Sequence, residues 1–151
     1  MNNQAGSTAQ NPAQILLVCH NRNGLAARRA VLEEAGYRVK TASAAEEAVA
    51  CLAAEKFDLI ITDHHVQKLD GVELIRKARS SGHQGPAILI SGYVEALGLT
   101  EAGTGADAVL SKNSNEVTHL VRAVSRLLRQ NIQKKPPARQ RKITAARAQH
   151  A

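Results

Sequence analysis

Short apolar runs alternate with segments of helical periodicity from residue 15 onward. Three of the runs are almost wholly apolar, as in strands buried on both faces of a parallel sheet, and the second alternates like an edge strand. The predicted strands span residues 15–19, 37–41, 58–62, 87–90 and 108–110. Helical spacing predicts helices over residues 24–35, 44–55 and 71–80, and a last helix with an apolar stripe from Val117 to Leu128.

Turn and cap residues divide these elements. Ser43 and Glu46 have the spacing of a capping box, as do Asp70 and Glu73. Four glycines between Ser91 and Asp107 weaken any helix there, so we expect a short or mobile element. Strands that alternate with helices indicate a single α/β domain of (βα)₅ type with a parallel sheet.

The charge distribution suggests three regions. Residues 1–13 are polar and uncharged, and we expect a disordered leader. Residues 14–131 form the predicted domain, and residues 1–131 together hold 14 Lys and Arg against 13 Asp and Glu. Residues 132–151 hold six Lys and Arg and no acidic residue, which predicts a disordered basic tail. The tail has no aromatic side chain for base stacking, so nucleic-acid contact is the less favoured interpretation.

Length and composition limit the protein class. The 151 residues suit one domain with its own core. The longest apolar run has five residues (15–19), far short of the roughly 20 that a membrane helix needs. Two cysteines, Cys19 and Cys51, are too few for a disulfide scaffold. We therefore expect a cytoplasmic protein without a membrane contact.

Polar side chains follow the predicted strands at the edge where parallel sheets bind ligands. They are Cys19 and His20 after the first strand, Asp63, His64 and His65 after the third, Ser91 after the fourth and Lys112 after the fifth. A carboxylate, a hydroxyl and an ammonium group together can accept a phosphoryl group, with the carboxylate as nucleophile. The set offers no further catalytic chemistry, so we do not expect an independent enzyme.

The segment from Phe57 to Asp63, followed by Asp70-Gly71, resembles the phosphoacceptor region of bacterial response-regulator receiver domains. Residues 25–42 and 105–112 resemble further parts of that family in the correct order. The resemblance covers about residues 14–131 and implies a flavodoxin-like three-layer sandwich with sheet order 2-1-3-4-5. It also implies that Asp63 is the phosphorylated aspartate, that Ser91 hydrogen-bonds the phosphoryl group and that Lys112 pairs with it.

The same resemblance implies the partners. A sensor histidine kinase or phosphotransfer protein would donate the phosphoryl group in a two-component phosphorelay. Receiver domains commonly dock or dimerise through their fourth and fifth helices, which here means residues 93–131. We therefore expect a downstream protein, or a second copy of the chain, to bind there.

The sequence departs from the family where Mg²⁺ is held. Cys19 and His20 replace the acidic pair, leaving Asp63 and the backbone carbonyl of His65 as metal ligands. Thiol and imidazole groups are poor Mg²⁺ ligands, so we expect weak metal binding and slow phosphoryl transfer. Smaller departures are Gln67 and Asn113 in place of prolines and Val109 in place of an aromatic switch residue.

Three alternatives remain open, two from these departures and one from the basic tail. The protein could be a phosphorylation-independent adaptor that its partner recognises in one fixed conformation. Thiolate and imidazole prefer Zn²⁺ and similar ions, so the cluster of Cys19, His20, Asp63, His64 and His65 could be a transition-metal site. The third is a nucleic-acid-associated factor that uses its basic tail.

Arg122, Arg126 and Arg129 lie about one turn apart on the last helix, and we favour a solvated face over a partner surface for them.

Overall fold

The computed structural model describes residues 12–66 and 69–134. In chain order its elements are β1 (Gln14–Val18), α1 (Arg22–Glu34), β2 (Arg38–Ala42), α2 (Ala45–Ala54), β3 (Leu59–Asp63), β4 (His65–Val66), β5 (Leu69–Asp70), α3 (Gly71–Ser80), β6 (Ala87–Ser91), α4 (Val94–Leu97), α5 (Glu101–Thr104), β7 (Ala108–Ser111) and α6 (Glu116–Lys134). The predicted strands and longer helices are all present, and the ends of the strands and of α1, α2 and α3 lie within two residues of the predicted ones. The glycine-rich segment forms only the short helices α4 and α5.

The main sheet has five parallel strands in the order β2-β1-β3-β6-β7. This confirms the predicted order 2-1-3-4-5, counted over the five sheet strands alone. Strands β4 and β5 form a separate antiparallel ribbon after β3, which the pattern did not predict. The register places Asp63 opposite Ile90, so the ends of β3 and β6 lie side by side.

Two apolar layers enclose the sheet. On β1, Leu16 and Val18 face one cluster while Ile15 and Leu17 face the other, because alternate residues of a strand point to opposite faces. The first cluster includes buried residues of α2 and α3, such as Ala48. The second includes buried residues of α1 and α6. The result is the predicted three-layer sandwich, with α1 and α6 on the same face.

The helix caps follow the sequence in part. The side chain of Asp70 accepts a hydrogen bond from the Glu73 amide at 2.9 Å, which confirms it as the N-cap of α3. The predicted capping box of Ser43 and Glu46 is wrong, because other residues occupy the two positions of the cap. The N-cap of α2 is Ala44, without a side-chain cap, and Glu47 accepts hydrogen bonds from the Ser43 amide and hydroxyl. Glu47 lies three residues after Ala44, so it is in the position from which a side chain reaches back.

The helix α6 continues to Lys134, three residues past the boundary predicted at residue 131. The predicted leader and the predicted basic tail fall largely outside the described residues, as does Gln67. Within residues 12–66 and 69–134, no helix is long and apolar enough to cross a membrane.

Candidate functional site at the carboxyl edge of the sheet

Asp63 is the last residue of β3 and is only 1% exposed to solvent. The start of α3 packs directly against it, because Gly71 is the first residue of that helix and donates its amide to the His64 carbonyl at 2.7 Å. A Cβ atom at position 71 would overlap the Asp63 carbonyl oxygen and lie 2.8 Å from Leu89. The glycine therefore permits the close approach that places Asp63 at the floor of the site.

A buried arginine contacts this carboxylate. Arg28 Nη1 lies 3.0 Å from Asp63 Oδ1, and the arginine side chain is only 4% exposed. Its Nε donates a second hydrogen bond to Glu116 Oε2, at the start of α6. Arg28 thus connects α1, β3 and α6 through two ion pairs.

The charges in this cluster support one another. Burial opposes the charge of Arg28, but the hydrogen bond that Arg28 donates to Glu116 and the negative charges of Asp63 and Glu116 outweigh it and raise the pKa of the guanidinium. Removal of one partner from a buried ion pair leaves an uncompensated charge and is strongly destabilising. Arg28 therefore holds Asp63 in its present position.

Lys112 is the second cation at Asp63. It follows β7, and its amide donates to the Ser91 carbonyl at 3.0 Å. Its Nζ atom lies 3.4 Å from the same Asp63 oxygen that Arg28 contacts, but its side chain is 42% exposed. Solvent screens this pair more than the Arg28 pair, so Lys112 is the weaker of the two partners.

Cys19 lies buried beside Asp63, just past the end of β1. Its thiol donates a hydrogen bond to the Asn21 carbonyl at 3.3 Å. Burial and the adjacent, negatively charged Asp63 carboxylate together raise the pKa of the Cys19 thiol to about 11. The thiol is therefore protonated at neutral pH and is a weak nucleophile in this state.

Ser91 is buried at the end of β6, next to the strand that carries Asp63. Its hydroxyl accepts a hydrogen bond from the Tyr93 amide at 2.9 Å and lies 3.3 Å from His64 Nδ1. His65 is exposed, and its ring packs edge-on against Tyr93 at a centroid distance of 5.7 Å. The two histidines thus contact Ser91 and Tyr93, while His20 lies exposed after β1.

The side chains present do not fit Mg²⁺. The ion prefers several oxygen ligands, whereas the side chains that follow β1 beside Asp63 are the buried thiol of Cys19 and the exposed imidazole of His20. Asp63 already has two cations against one of its oxygens. Nor do the described residues contain a group of three His, Cys, Asp or Glu side chains that could hold a metal ion, which counts against the transition-metal alternative.

Sequence reasoning placed Asp63, Ser91 and Lys112 at this edge but missed Arg28 and Glu116. One signal was present: Arg28 occupies the same helical face as Leu25 and Leu32, where an apolar residue is expected. An arginine on that face indicates a buried positive charge that is paired with a carboxylate. Its second partner is 88 residues away in the chain, so the pairing with Glu116 could not be read from spacing.

The arrangement of a buried aspartate at the end of the central strand, with a lysine after the last strand, defines a receiver-type α/β signalling domain. The response regulator receiver domain model matches residues 15–125. The chain therefore belongs to the response regulator receiver domain family.

Relatives of known identity agree with this assignment. The chain is 36% identical over 101 residues to the alkaline phosphatase synthesis transcriptional regulatory protein PhoP of Bacillus subtilis, covering 63% of this chain and 41% of that protein. It is 32% identical over 117 residues to the gliding motility regulatory protein of Myxococcus xanthus, covering 76% of this chain and 15% of that protein. The match spans less than half the length of either relative.

Solved structures give the same fold. A CheY-like receiver domain protein from Methanospirillum hungatei JF-1 aligns with a TM-score of 0.75 at 26% identity, covering 82% of this chain and 99% of that one. The response regulator TrrA from Thermotoga maritima, in complex with Mg²⁺ and BeF, aligns with a TM-score of 0.68 at 26% identity, covering 76% and 98%.

Proposed function

We propose that this chain is a receiver module of a two-component signalling pathway that acts through protein–protein contact in a conformation fixed by its own ion pairs. In this proposal Arg28 supplies the positive charge at Asp63 for which other receivers use Mg²⁺. The observation that carries the proposal is the 3.0 Å contact between Arg28 Nη1 and Asp63 Oδ1, with both side chains almost fully buried. The module acts in the cytoplasm and by binding, without turnover of a substrate.

The charge balance supports this proposal. The cluster holds two carboxylates, Asp63 and Glu116, and two cations, Arg28 and Lys112. A phosphoryl group on Asp63 would add negative charge to a buried site whose side chains do not suit a divalent cation. Arg28 would also have to leave the Asp63 oxygen that it contacts. The ion pairs therefore favour the unmodified state.

The partner surface in this proposal is the segment 93–131. Tyr93 is 52% exposed and Leu97 is 57% exposed, and none of the four residues of α4 is buried. Apolar side chains exposed on a short helix suit a protein contact. We assign this surface to a downstream protein or to a second copy of the chain.

Nuclear magnetic resonance can test the fixed conformation. Amide spectra of the full chain would be recorded with and without Mg²⁺ and beryllofluoride, which mimics a phosphoryl group on aspartate. The proposal predicts unchanged amide shifts across residues 93–131. Saturable shifts at Asp63, Ser91 and Lys112 that disappear in Asp63→Asn would contradict it.

A second candidate function is phosphoryl acceptance on Asp63 from a histidine kinase or phosphotransfer protein. The 3.4 Å contact of Lys112 with Asp63 and the position of Ser91 at the neighbouring strand end favour it. In this case Arg28 would need to turn away from Asp63 during the transfer, with Lys112 and Ser91 facing the phosphoryl oxygens. The beryllofluoride experiment separates the two candidates, because only this one predicts shifts that depend on Asp63.

A further inference from the structure

The last helix has an exposed face that consists of arginines. Arg122, Arg126 and Arg129 are all exposed and recur at intervals of four and three residues, which places them on one side of α6. Within residues 12–66 and 69–134, none of the three forms an ion pair with a carboxylate; Arg129 only donates to the Ser125 hydroxyl at 3.3 Å. Their charges are therefore available to a partner.

The sequence extends this charge beyond the helix. Residues 117–151 hold nine Lys and Arg and no acidic residue, whereas residues 1–116 hold 11 Lys and Arg against 13 Asp and Glu. The cationic region thus begins on α6, about fifteen residues earlier than the tail that composition alone suggested. An excess of one sign over 35 residues attracts a polyanion and is repelled by other basic surfaces.

The opposite face of α6 limits what that polyanion can be. Leu120, Ala123, Val124 and Leu127 are buried in the core, so this helix cannot insert an apolar face into a lipid bilayer. Residues 117–151 contain no Phe, Tyr or Trp, so the large aromatic side chains on which single-stranded bases usually stack are missing. Arginine groups instead match phosphate oxygens, which they bind through two parallel hydrogen bonds.

We propose that the arginine face of α6, formed by Arg122, Arg126 and Arg129, binds the phosphate backbone of duplex nucleic acid without sequence preference. The face involves neither Asp63 nor Arg28, and within the segment 93–131 it uses only α6, whereas the protein contact rests on the exposed Tyr93 and Leu97. The proposal therefore stands or falls independently of how the site at the sheet edge works.

Fluorescence anisotropy of the full chain with a labelled 24-base-pair DNA duplex of arbitrary sequence tests this proposal. Binding should weaken steeply with salt, because each phosphate contact releases bound counterions. The variant Arg122→Gln/Arg126→Gln/Arg129→Gln should bind at least tenfold more weakly at low salt. Its slope of log affinity against log salt should be shallower by about 0.9 for each lost phosphate contact.

A matched control distinguishes the effect of the arginine face from the effect of the lower net charge. The variant Lys56→Gln/Arg76→Gln/Lys77→Gln removes three exposed positive charges from other helices and loops, so it should retain the wild-type slope. Circular dichroism would first establish that both variants fold. An equal loss of affinity in the two variants, or no binding by the full chain at low salt, would overturn the proposal.

Three further arms identify the polyanion. An RNA duplex of the same length tests whether the sugar matters. Comparable binding of DNA and RNA supports a shared phosphate contact, and binding of only one of them identifies which nucleic acid is the partner. The second arm uses vesicles that contain phosphatidylserine, which test for a lipid surface. The third arm uses a polyglutamate chain, which tests for an acidic peptide. Tighter binding of vesicles or polyglutamate than of either duplex at equal salt would overturn the assignment to nucleic acid.

Discussion

Arg28 Nη1 donates to Asp63 Oδ1 across 3.0 Å, although the two residues lie on a helix and a strand that are 35 residues apart in the chain. Both side chains are buried, so solvent screens the pair very little. Glu116 fixes the other edge of the same guanidinium. Asp63, which the family resemblance predicts to be the phosphoacceptor, is therefore part of a buried ion-pair cluster in this chain.

Replacing Arg28 should destabilise the fold strongly. In Arg28→Met both Asp63 and Glu116 lose their shared cation, and breaking a buried ion pair in this way costs about 3–5 kcal/mol. Urea denaturation measures the free energy of unfolding. The neighbouring Arg29→Met is the control, because Arg29 pairs with Glu33 on the surface of the same helix and such pairs contribute only about 0.3–0.5 kcal/mol.

A double-mutant cycle checks the cause of that loss. In an Asp63→Asn background, the buried negative charge is absent, so Arg28→Met should cost less than in the wild type. The difference between the two backgrounds is the interaction energy of the pair. Equal costs in both backgrounds would mean that Arg28 stabilises the fold through packing alone.

Lys112 should matter much less to stability than Arg28. Its contact with Asp63 is 3.4 Å and its side chain is 42% exposed, so Lys112→Met should change the free energy of unfolding by less than about 1 kcal/mol. The same urea titrations measure it. A loss as large as that of Arg28→Met would reverse the ranking of the two cations at Asp63.

The Cys19 thiol should make stability fall at alkaline pH. Its pKa is raised to about 11 in the fold by burial and by Asp63, above its ordinary value of 9.0, so the folded protein holds the proton more tightly than the unfolded chain. The resulting stabilisation is fully present below pH 9 and is lost as the pH rises towards 11. Unfolding measurements across this range should show a smaller alkaline decline in Cys19→Ala.

A control for this prediction is Cys51→Ala. Burial also raises the pKa of Cys51, but this thiol lies on α2, where the positive charge of Lys40 opposes the shift and the negative charges of Glu47 and Glu55 add to it. The wild-type slope should be largely retained in this variant. Identical slopes in Cys19→Ala and the wild type would refute the assignment to Cys19.

Gly71 should tolerate no side chain. A methyl group there would overlap the Asp63 carbonyl oxygen, so Gly71→Ala should destabilise by about 1–3 kcal/mol or more. Gly92→Ala is the matched control, since no atom lies within 4 Å of its Cβ position, and it should stay within about 0.5 kcal/mol of the wild type. Thermal unfolding compares the two, and equal midpoints would contradict the prediction.

The sequence was informative wherever a pattern is local. Alternating apolar runs and helical periods predicted the five strands, their order through the family resemblance, and the edge at which Asp63, Ser91 and Lys112 lie. The partners of these groups depend on contacts between distant segments, which no spacing encodes. The contact of Ser91 with His64 and the reach of Arg28 to Glu116 therefore emerged only from the fold.

The helix caps illustrate the same limit at short range. The Ser43–Glu46 spacing fits a capping box, but α2 begins one residue later, and Glu47 is the residue that reaches back. A shift of one residue rotates every position of a helix by about 100°, so an error at the cap moves the predicted partner. The prediction of Asp70 as a cap is correct, because the close approach of Gly71 to β3 fixes the residue at which α3 starts.

Intact-mass measurement after incubation with acetyl phosphate and Mg²⁺ tests the central claim most directly. The wild type would be compared with Cys19→Asp/His20→Asp/Arg28→Met, which introduces an acidic pair after β1 and removes the guanidinium, and with Asp63→Asn in each background. We predict no mass gain for the wild type and a single phosphoryl gain for the redesigned chain that Asp63→Asn abolishes. A phosphoryl gain in the wild type that depends on Asp63 would contradict the account.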